Sequence, residues 1–201
     1  MPIIGITGGV ATGKSCVSDL ISSHFSDAVL FSADAECARL VRENSEVRDE
    51  LQRTLGEEAF SSGGHLNRQY VRSCIFGSID LKRRVEAIFH PRVRQAWRSL
   101  AERSREKSEW MFAEIPLLYE TGGWNLLDRV VVVACSPQEQ IRRMVASRGL
   151  SEGLSEQIRV AQMSLTEKCS QSDHIIWNDF SFSCLSRQVR LLCVWLRHRY
   201  S

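Results

Sequence analysis

The sequence predicts a three-layer α/β fold, with a central parallel sheet covered by helices, an inserted helical substrate lobe and a helical lid. Three observations carry that expectation. Residues 8–15 read G-G-V-A-T-G-K-S and fit the pattern G-x-x-x-x-G-K-[ST] at every fixed position. The loop stands between a β-branched run at 2–7 and a helical repeat of Val17, Leu20, Ile21 and Phe25. Val130, Val131, Val132 and Val133 form the continuous apolar run typical of a strand buried on both faces of a parallel sheet.

The glycine loop comes first because its chemistry is the most specific. Gly8 and Gly13 permit backbone angles closed to residues with a Cβ, so successive N–H groups can turn inward on phosphate oxygens at the positive end of the next helix. Lys14 adds a mobile cation for the β- and γ-phosphates, and the Ser15 hydroxyl suits Mg²⁺.

After the first helix, Ala28-Val29-Leu30-Phe31 fits a buried second strand ending at Ser32-Ala33-Asp34. Ligands bind at the carboxyl ends of such strands, so Asp34 is a candidate catalytic acid or base; it equally suits the N-cap of the helix through Cys37, Leu40 and Val41. Helical spacing then dominates to residue 109, over 46–55, 68–76 and 80–105, with breaks at Gly63-Gly64 and Gly77-Ser78. This exceeds what a plain crossover needs and predicts an inserted lobe holding a second substrate. Within it, His90-Pro91 predicts a kink or helix boundary, since proline disfavours helical geometry at the residue before it. Arg83, Arg84, Arg92 and Arg94 suit a solvated face.

Trp110-Met111-Phe112-Ala113 gives another strand, followed by Glu114, where phosphate-loop enzymes keep the acid that holds Mg²⁺ through water. Beyond the valine strand, residues 136–165 turn helical and arginine-rich, with Arg142, Arg143, Arg148 and Arg159 around a break at Gly149. That pattern suits either a lid closing over ATP or a solvated surface. His174-Ile175-Ile176-Trp177 is a last strand ending at Asn178-Asp179, and an amphipathic helix with Val189, Leu192, Val194, Trp195 and Leu196 closes the chain.

Composition sets the remaining bounds. At 201 residues the chain suits one domain with an insertion. A formal net charge of +2 gives no general argument for nucleic-acid or membrane partners. Seven cysteines, at 16, 37, 74, 135, 169, 184 and 193, form no C-x-x-C pair or zinc spacing. With no signal peptide or membrane-length apolar run, they predict reduced thiols and a cytoplasmic protein.

With these pieces placed, the sequence resembles the dephospho-CoA kinase family. The likeness rests on G-I-T-G-G-V-A-T-G-K-S, Ala33-Asp34, Ile75-Phe76, His90-Pro91, Pro116-Leu117-Leu118-Tyr119-Glu120, Ser136-Pro137, Gly149-Leu150-Ser151, Ala161-Gln162-Met163 and Asp173-x-Ile-Ile-x-Asn178, in family order across almost the whole chain. It implies ATP-dependent phosphorylation of the ribose 3′-hydroxyl of dephospho-CoA, with Mg²⁺ and no nucleic-acid or membrane partner. The resemblance makes Asp34 the general base, Lys14 the phosphate-loop lysine and Arg143 a lid arginine. ATP would be held by Gly8, Gly9, Ala11, Thr12, Gly13, Lys14, Ser15 and Cys16, with Arg148 and Asn178. Asp34, His90, Leu118 and Glu120 would bind the acceptor, and Ser15 and Glu114 the metal. The implied organisation is a core of 1–35, 110–137 and 166–201, a CoA-binding lobe of about 36–109 and a lid of about 138–165.

The chain departs from the family pattern in places. The usual G-S-G-K-S-T becomes Ala11-Thr12-Gly13-Lys14-Ser15-Cys16, and the usual D-A-D becomes Ser32-Ala33-Asp34. Ala38 stands where an arginine or histidine is usual, with Arg39 next, and Ser147 where a lid arginine is usual, with Arg148 adjacent. Another small-molecule or nucleoside monophosphate kinase would share loop, lobe and lid, but P-L-L-Y-E and the length of the lobe argue against it. A switch GTPase would need N-K-x-D and D-x-x-G, neither of which occurs.

Overall fold

The computed structural model describes residues 1–122 and 124–200, apart from the side chains of Phe76 and Trp124. Phe76 of the Ile75-Phe76 pair therefore lies outside the described side chains. By internal contacts the chain divides into two units, Met1–Ser32 with Leu100–Ser201, and Ala33–Ser99.

The first unit is built on five parallel strands in the order β2-β3-β1-β4-β5: β1 (Ile3–Gly8), β2 (Val29–Ser32), β3 (Met111–Glu114), β4 (Arg129–Ala134) and β5 (His174–Trp177). Every residue of β1 is buried, as a central parallel strand demands. Alternation divides its faces. Ile4 and Ile6 join Phe112, Val131, Val133 and Ile176 in a core completed by Val17 and Ile21 of α1 (Lys14–His24) and by Leu185, Val189, Leu192, Cys193 and Leu196 of α9 (Phe182–Tyr200). On the other face Gly5 leaves space that a Cβ would lose, at 2.4 Å from Leu127 Cδ1. The register pairs both Ile6 and Ser32 with Glu114, and Gly8 with Val133, so the carboxyl ends of β2, β3, β1 and β4 align along one border of the sheet.

Three further helices belong to this unit: α6 (Pro137–Arg148), α7 (Glu152–Val160) and α8 (Leu165–Ser170). Ser136 and Ser151 cap α6 and α7, while Ser164 and Glu167 form a reciprocal capping box on α8. Gly149, at φ 63°, ends α6, and Glu139 in its first turn complements the helix dipole.

The second unit is helical. It holds α2 (Ala33–Glu43), α3 (Ser45–Leu55), α4 (Arg68–Gly77) and most of α5 (Ile79–Glu106). Asn44 and Asn67 cap α3 and α4, and the Tyr70 hydroxyl donates to the Leu55 carbonyl at 2.9 Å. Arg92 ties α5 to α3 through Glu50, and Arg48 lies over the Phe60 ring while donating to the Val41 and Gly64 carbonyls.

Four expectations need correction. The second strand starts at Val29 and is an edge strand, so Phe31 is buried but Leu30 is half exposed. Glu114 is the last residue of its strand rather than the first beyond it. Residues 137–170 carry three helices, the last of them unread in the sequence. His90-Pro91 does not end a helix, for α5 runs through Pro91. An interior proline costs about 3 kcal/mol. The buried stripe of Val85, Ile88, Val93, Trp97 and Ala101 offsets that, at about 1.5–3 kcal/mol for each large apolar side chain.

Candidate active site

The loop between β1 and α1 is held by hydrogen bonds within itself. The buried Thr12 hydroxyl and the Lys14 ammonium both donate to the Gly9 carbonyl, at 3.0 and 2.8 Å. Gly8 (φ 151°) and Gly13 (φ 94°) sit where a side chain is strained. A Cβ on Gly8 would lie 2.1 Å from the Val133 carbonyl oxygen, and one on Gly13 would lie 2.4 Å from Asn178 Nδ2. Ala11 takes a left-handed conformation at φ 56° although it carries a Cβ, a strain of the kind held at functional loops. Gly13 caps α1 without a side-chain hydrogen bond, and the first turn of α1 carries no acid. The helix thus presents backbone N–H groups and the positive end of its dipole, an anion site. Cys16 packs its side chain against the core, which leaves only its backbone to act at this site.

Glu114 is buried at 7% exposure. Its carboxylate accepts from the Ser15 hydroxyl at 2.9 Å and from the Ser18 hydroxyl at 2.9 Å. Two hydroxyl donors thus satisfy a side chain that burial removes from water. Carboxylate and hydroxyl oxygens are the hard donors that Mg²⁺ prefers, and the pair fits a metal bound by one or two protein groups and completed by phosphate oxygens. Among the described residues, no group of three or more His, Cys, Asp or Glu forms a metal cage.

Arg143 of α6 anchors the other side of the loop. Its guanidinium donates from Nε to Glu139 at 2.7 Å and from Nη2 to the Asn178 carbonyl at 2.6 Å. Nη1 divides between the Ala11 and Thr12 carbonyls at 3.3 and 3.2 Å. The Asn178 amide donates to the same Thr12 carbonyl at 2.9 Å. Arg142 and Arg143 hold the Glu139 carboxyl down at about 2, with the Arg142 hydrogen bond the largest cause. Burial pushes the nearby Cys135 thiol up to about 11 and leaves it unreactive.

Two glutamines grip Val10: Gln162, which the sequence offers only within the family motif Ala161-Gln162-Met163, and Gln140, which it does not single out. Buried Gln140 donates to the Val10 carbonyl at 2.6 Å, and Gln162 accepts from the Val10 N–H at 2.9 Å. Lys168 was equally unread. It is wholly buried, donates to the Pro116 carbonyl at 3.0 Å and pairs with Glu120 at 2.9 Å. Only the motif Ala161-Gln162-Met163 had pointed to this part of the chain.

The remaining candidates fall as follows. Leu118 is fully buried, its Cδ2 3.4 Å from where a Gly5 Cβ would stand, so its side chain is core. Asp34 is exposed in the first turn of α2, inside the helix rather than at its cap, and two residues beyond β2. His90 is half-buried in α5. Arg39 is exposed and engaged by Glu36 and Glu43. Arg148 is exposed in the last turn of α6, and Ser147 turns its hydroxyl back to the Arg143 carbonyl.

Comparisons with known proteins give the family and the fold. A family model described as dephospho-CoA kinase matches residues 2–183. A dephospho-CoA kinase of Nitrosospira multiformis is 34% identical over 197 residues, covering 96% of this chain and 94% of that protein. A solved structure from Thermus thermophilus superposes with a TM-score of 0.74 at 34% identity, covering 97% of both chains. A shikimate kinase from Bacteroides thetaiotaomicron, at 15% identity and a TM-score of 0.59 over 98% of both chains, shares the fold.

Proposed function

This chain belongs to the dephospho-CoA kinase family, and from that premise we propose how its own residues carry out the reaction. The reaction is transfer of the γ-phosphoryl group of ATP to the ribose 3′-hydroxyl of dephospho-CoA, giving CoA and ADP, the last step of CoA biosynthesis.

The observation that carries the assignment of roles is the loop of residues 8–15 with Ser15 bonded to Glu114. The loop N–H groups and the start of α1 take the triphosphate. Lys14, anchored at the loop by the Gly9 carbonyl, supplies the cation for the β- and γ-oxygens. Mg²⁺ would be held by Ser15 and Glu114 and would supply charge neutralisation on the β- and γ-phosphates. Arg143 keeps the loop in its binding conformation and adds positive charge beside it. Gly8, Gly9 and Gly13 admit the phosphates closely, Ala11, Thr12 and the Cys16 N–H complete the cradle, and Arg148 and Asn178 serve the nucleotide. On the acceptor side, Asp34 takes the proton of the 3′-hydroxyl as the phosphoryl group arrives, while His90, Glu120 and the backbone at Leu118 orient dephospho-CoA. Residues of about 36–109 form the acceptor lobe and about 138–165 the lid.

Asp34→Asn tests the base. Turnover is expected to fall by about 10² or more while ATP still binds. Turnover at the native rate would remove Asp34 from that role.

A further inference from the structure

Lys168 is a charged residue with no solvent exposure, in a chain where nearly every other lysine and arginine reaches water. Its ammonium bonds to the Pro116 carbonyl at 3.0 Å and to Glu120 at 2.9 Å. Those are the first and last residues of Pro116-Leu117-Leu118-Tyr119-Glu120, so one cation fastens both ends of a five-residue stretch that lies outside any helix or strand. Each anchor is shared. The Thr7 hydroxyl of β1 donates to the same Pro116 carbonyl at 3.2 Å, and the Met163 N–H donates to the same Glu120 oxygen at 3.2 Å. Met163 follows Gln162, which holds Val10 of the phosphate loop.

Burying an ammonium is costly even when a carboxylate at the surface pairs with it, Glu120 keeping 23% of its side chain exposed, and a well-packed apolar side chain of similar volume would often stabilise the fold as well or better. What an apolar side chain cannot do is bond a carbonyl and a carboxylate four positions apart in one fixed geometry. The capping box of Ser164 and Glu167 fixes the start of α8 and with it the position from which Lys168 reaches out.

We propose that Lys168 is a positioning residue for dephospho-CoA: it touches no substrate, and it holds the acceptor-facing stretch 116–120 in register with the phosphate loop through Glu120, Met163 and Gln162. This rests on the reading of Glu120 and its neighbours as acceptor contacts.

Three variants test it. Lys168→Met removes the cation, Glu120→Gln removes the carboxylate that is itself read as an acceptor contact, and the two combined remove both charges, so that no uncompensated ion remains to unfold the chain. For the double variant the expected result is a melting temperature within a few degrees of native, a KM for dephospho-CoA about tenfold or more above that of Glu120→Gln alone, and a KM for ATP within about twofold of native. A KM for dephospho-CoA no higher than that of Glu120→Gln, or both KM values rising together with a lowered melting temperature, would overturn the positioning role. Hydrogen exchange of residues 115–122 separates this from the underlying reading. If dephospho-CoA does not slow exchange there in the native protein, the stretch is not an acceptor contact. If it does, and the double variant adds nothing to the KM of Glu120→Gln, the inference about Lys168 alone fails.

Discussion

Replacing Arg143 by methionine removes the guanidinium that joins α6, the phosphate loop and the end of β5. Its two short contacts are to Glu139 at 2.7 Å and to the Asn178 carbonyl at 2.6 Å; the two to Ala11 and Thr12 are long, at 3.3 and 3.2 Å. A hydrogen bond to a charged group nets about 1.5–3 kcal/mol. The side chain is 24% exposed, so the freed carbonyls partly recover water and the ion pair with Glu139 counts for less than a buried one. The Asn178 contact at full weight and the long pair at reduced weight together come to about 2–4 kcal/mol. For a chain of this size, about 2–4 °C of melting temperature is lost per kcal/mol, so Arg143→Met should melt about 4–16 °C lower. Turnover should fall by about 10² or more, because the loop loses its anchor and the triphosphate loses a nearby cation. Thermal melting and ADP release measured on the same preparation check both. A melting temperature within about 2 °C of native, with turnover within about twofold, would refute the role given to this side chain.

Lys14→Ala should lose most of its activity with the fold intact, because the loop loses the cation that meets the β- and γ-phosphates; ADP release and thermal melting together decide it. Gly13→Ala should destabilise by about 1–3 kcal/mol and weaken ATP binding, since φ 94° is strained for alanine and the new Cβ would press on Asn178 Nδ2; urea denaturation and nucleotide titration measure the two effects. His174, packed against Trp195, has its pKa lowered by burial, with Asp173 opposing and Arg129 adding to the shift. A lowered imidazole pKa means stability that is present above the unfolded value of about 6.5 and is lost as pH falls below it. His174→Gln should therefore flatten the decline of the urea midpoint between about pH 7 and 5.5.

The parts of the site legible in the sequence are those encoded locally. The loop reads from eight consecutive residues because its conformation is set by its own glycines and the helix after it. Glu114 and Asn178 read because one ends and the other follows a recognisable short strand. What escaped was long-range. Gln140 meets Val10 across 130 positions and Lys168 meets Pro116 across 52, and neither residue type in a helical pattern distinguishes a buried clamp from a solvated face. Pro91 misled for a related reason: the local preference for a break is real, but the buried stripe of α5 outweighs it. Leu30 read as buried because periodicity alone does not tell a central strand from an edge strand.

The most direct test of the whole account is ADP release by the purified protein with MgATP, comparing dephospho-CoA with AMP, adenosine, gluconate and no acceptor, and identifying the product by mass. Strong stimulation by dephospho-CoA alone, with a product heavier by one phosphoryl group at the ribose 3′ position, is the predicted result. Binding of ATP with no acceptor stimulating turnover, or preferential phosphorylation of another acceptor, would contradict it.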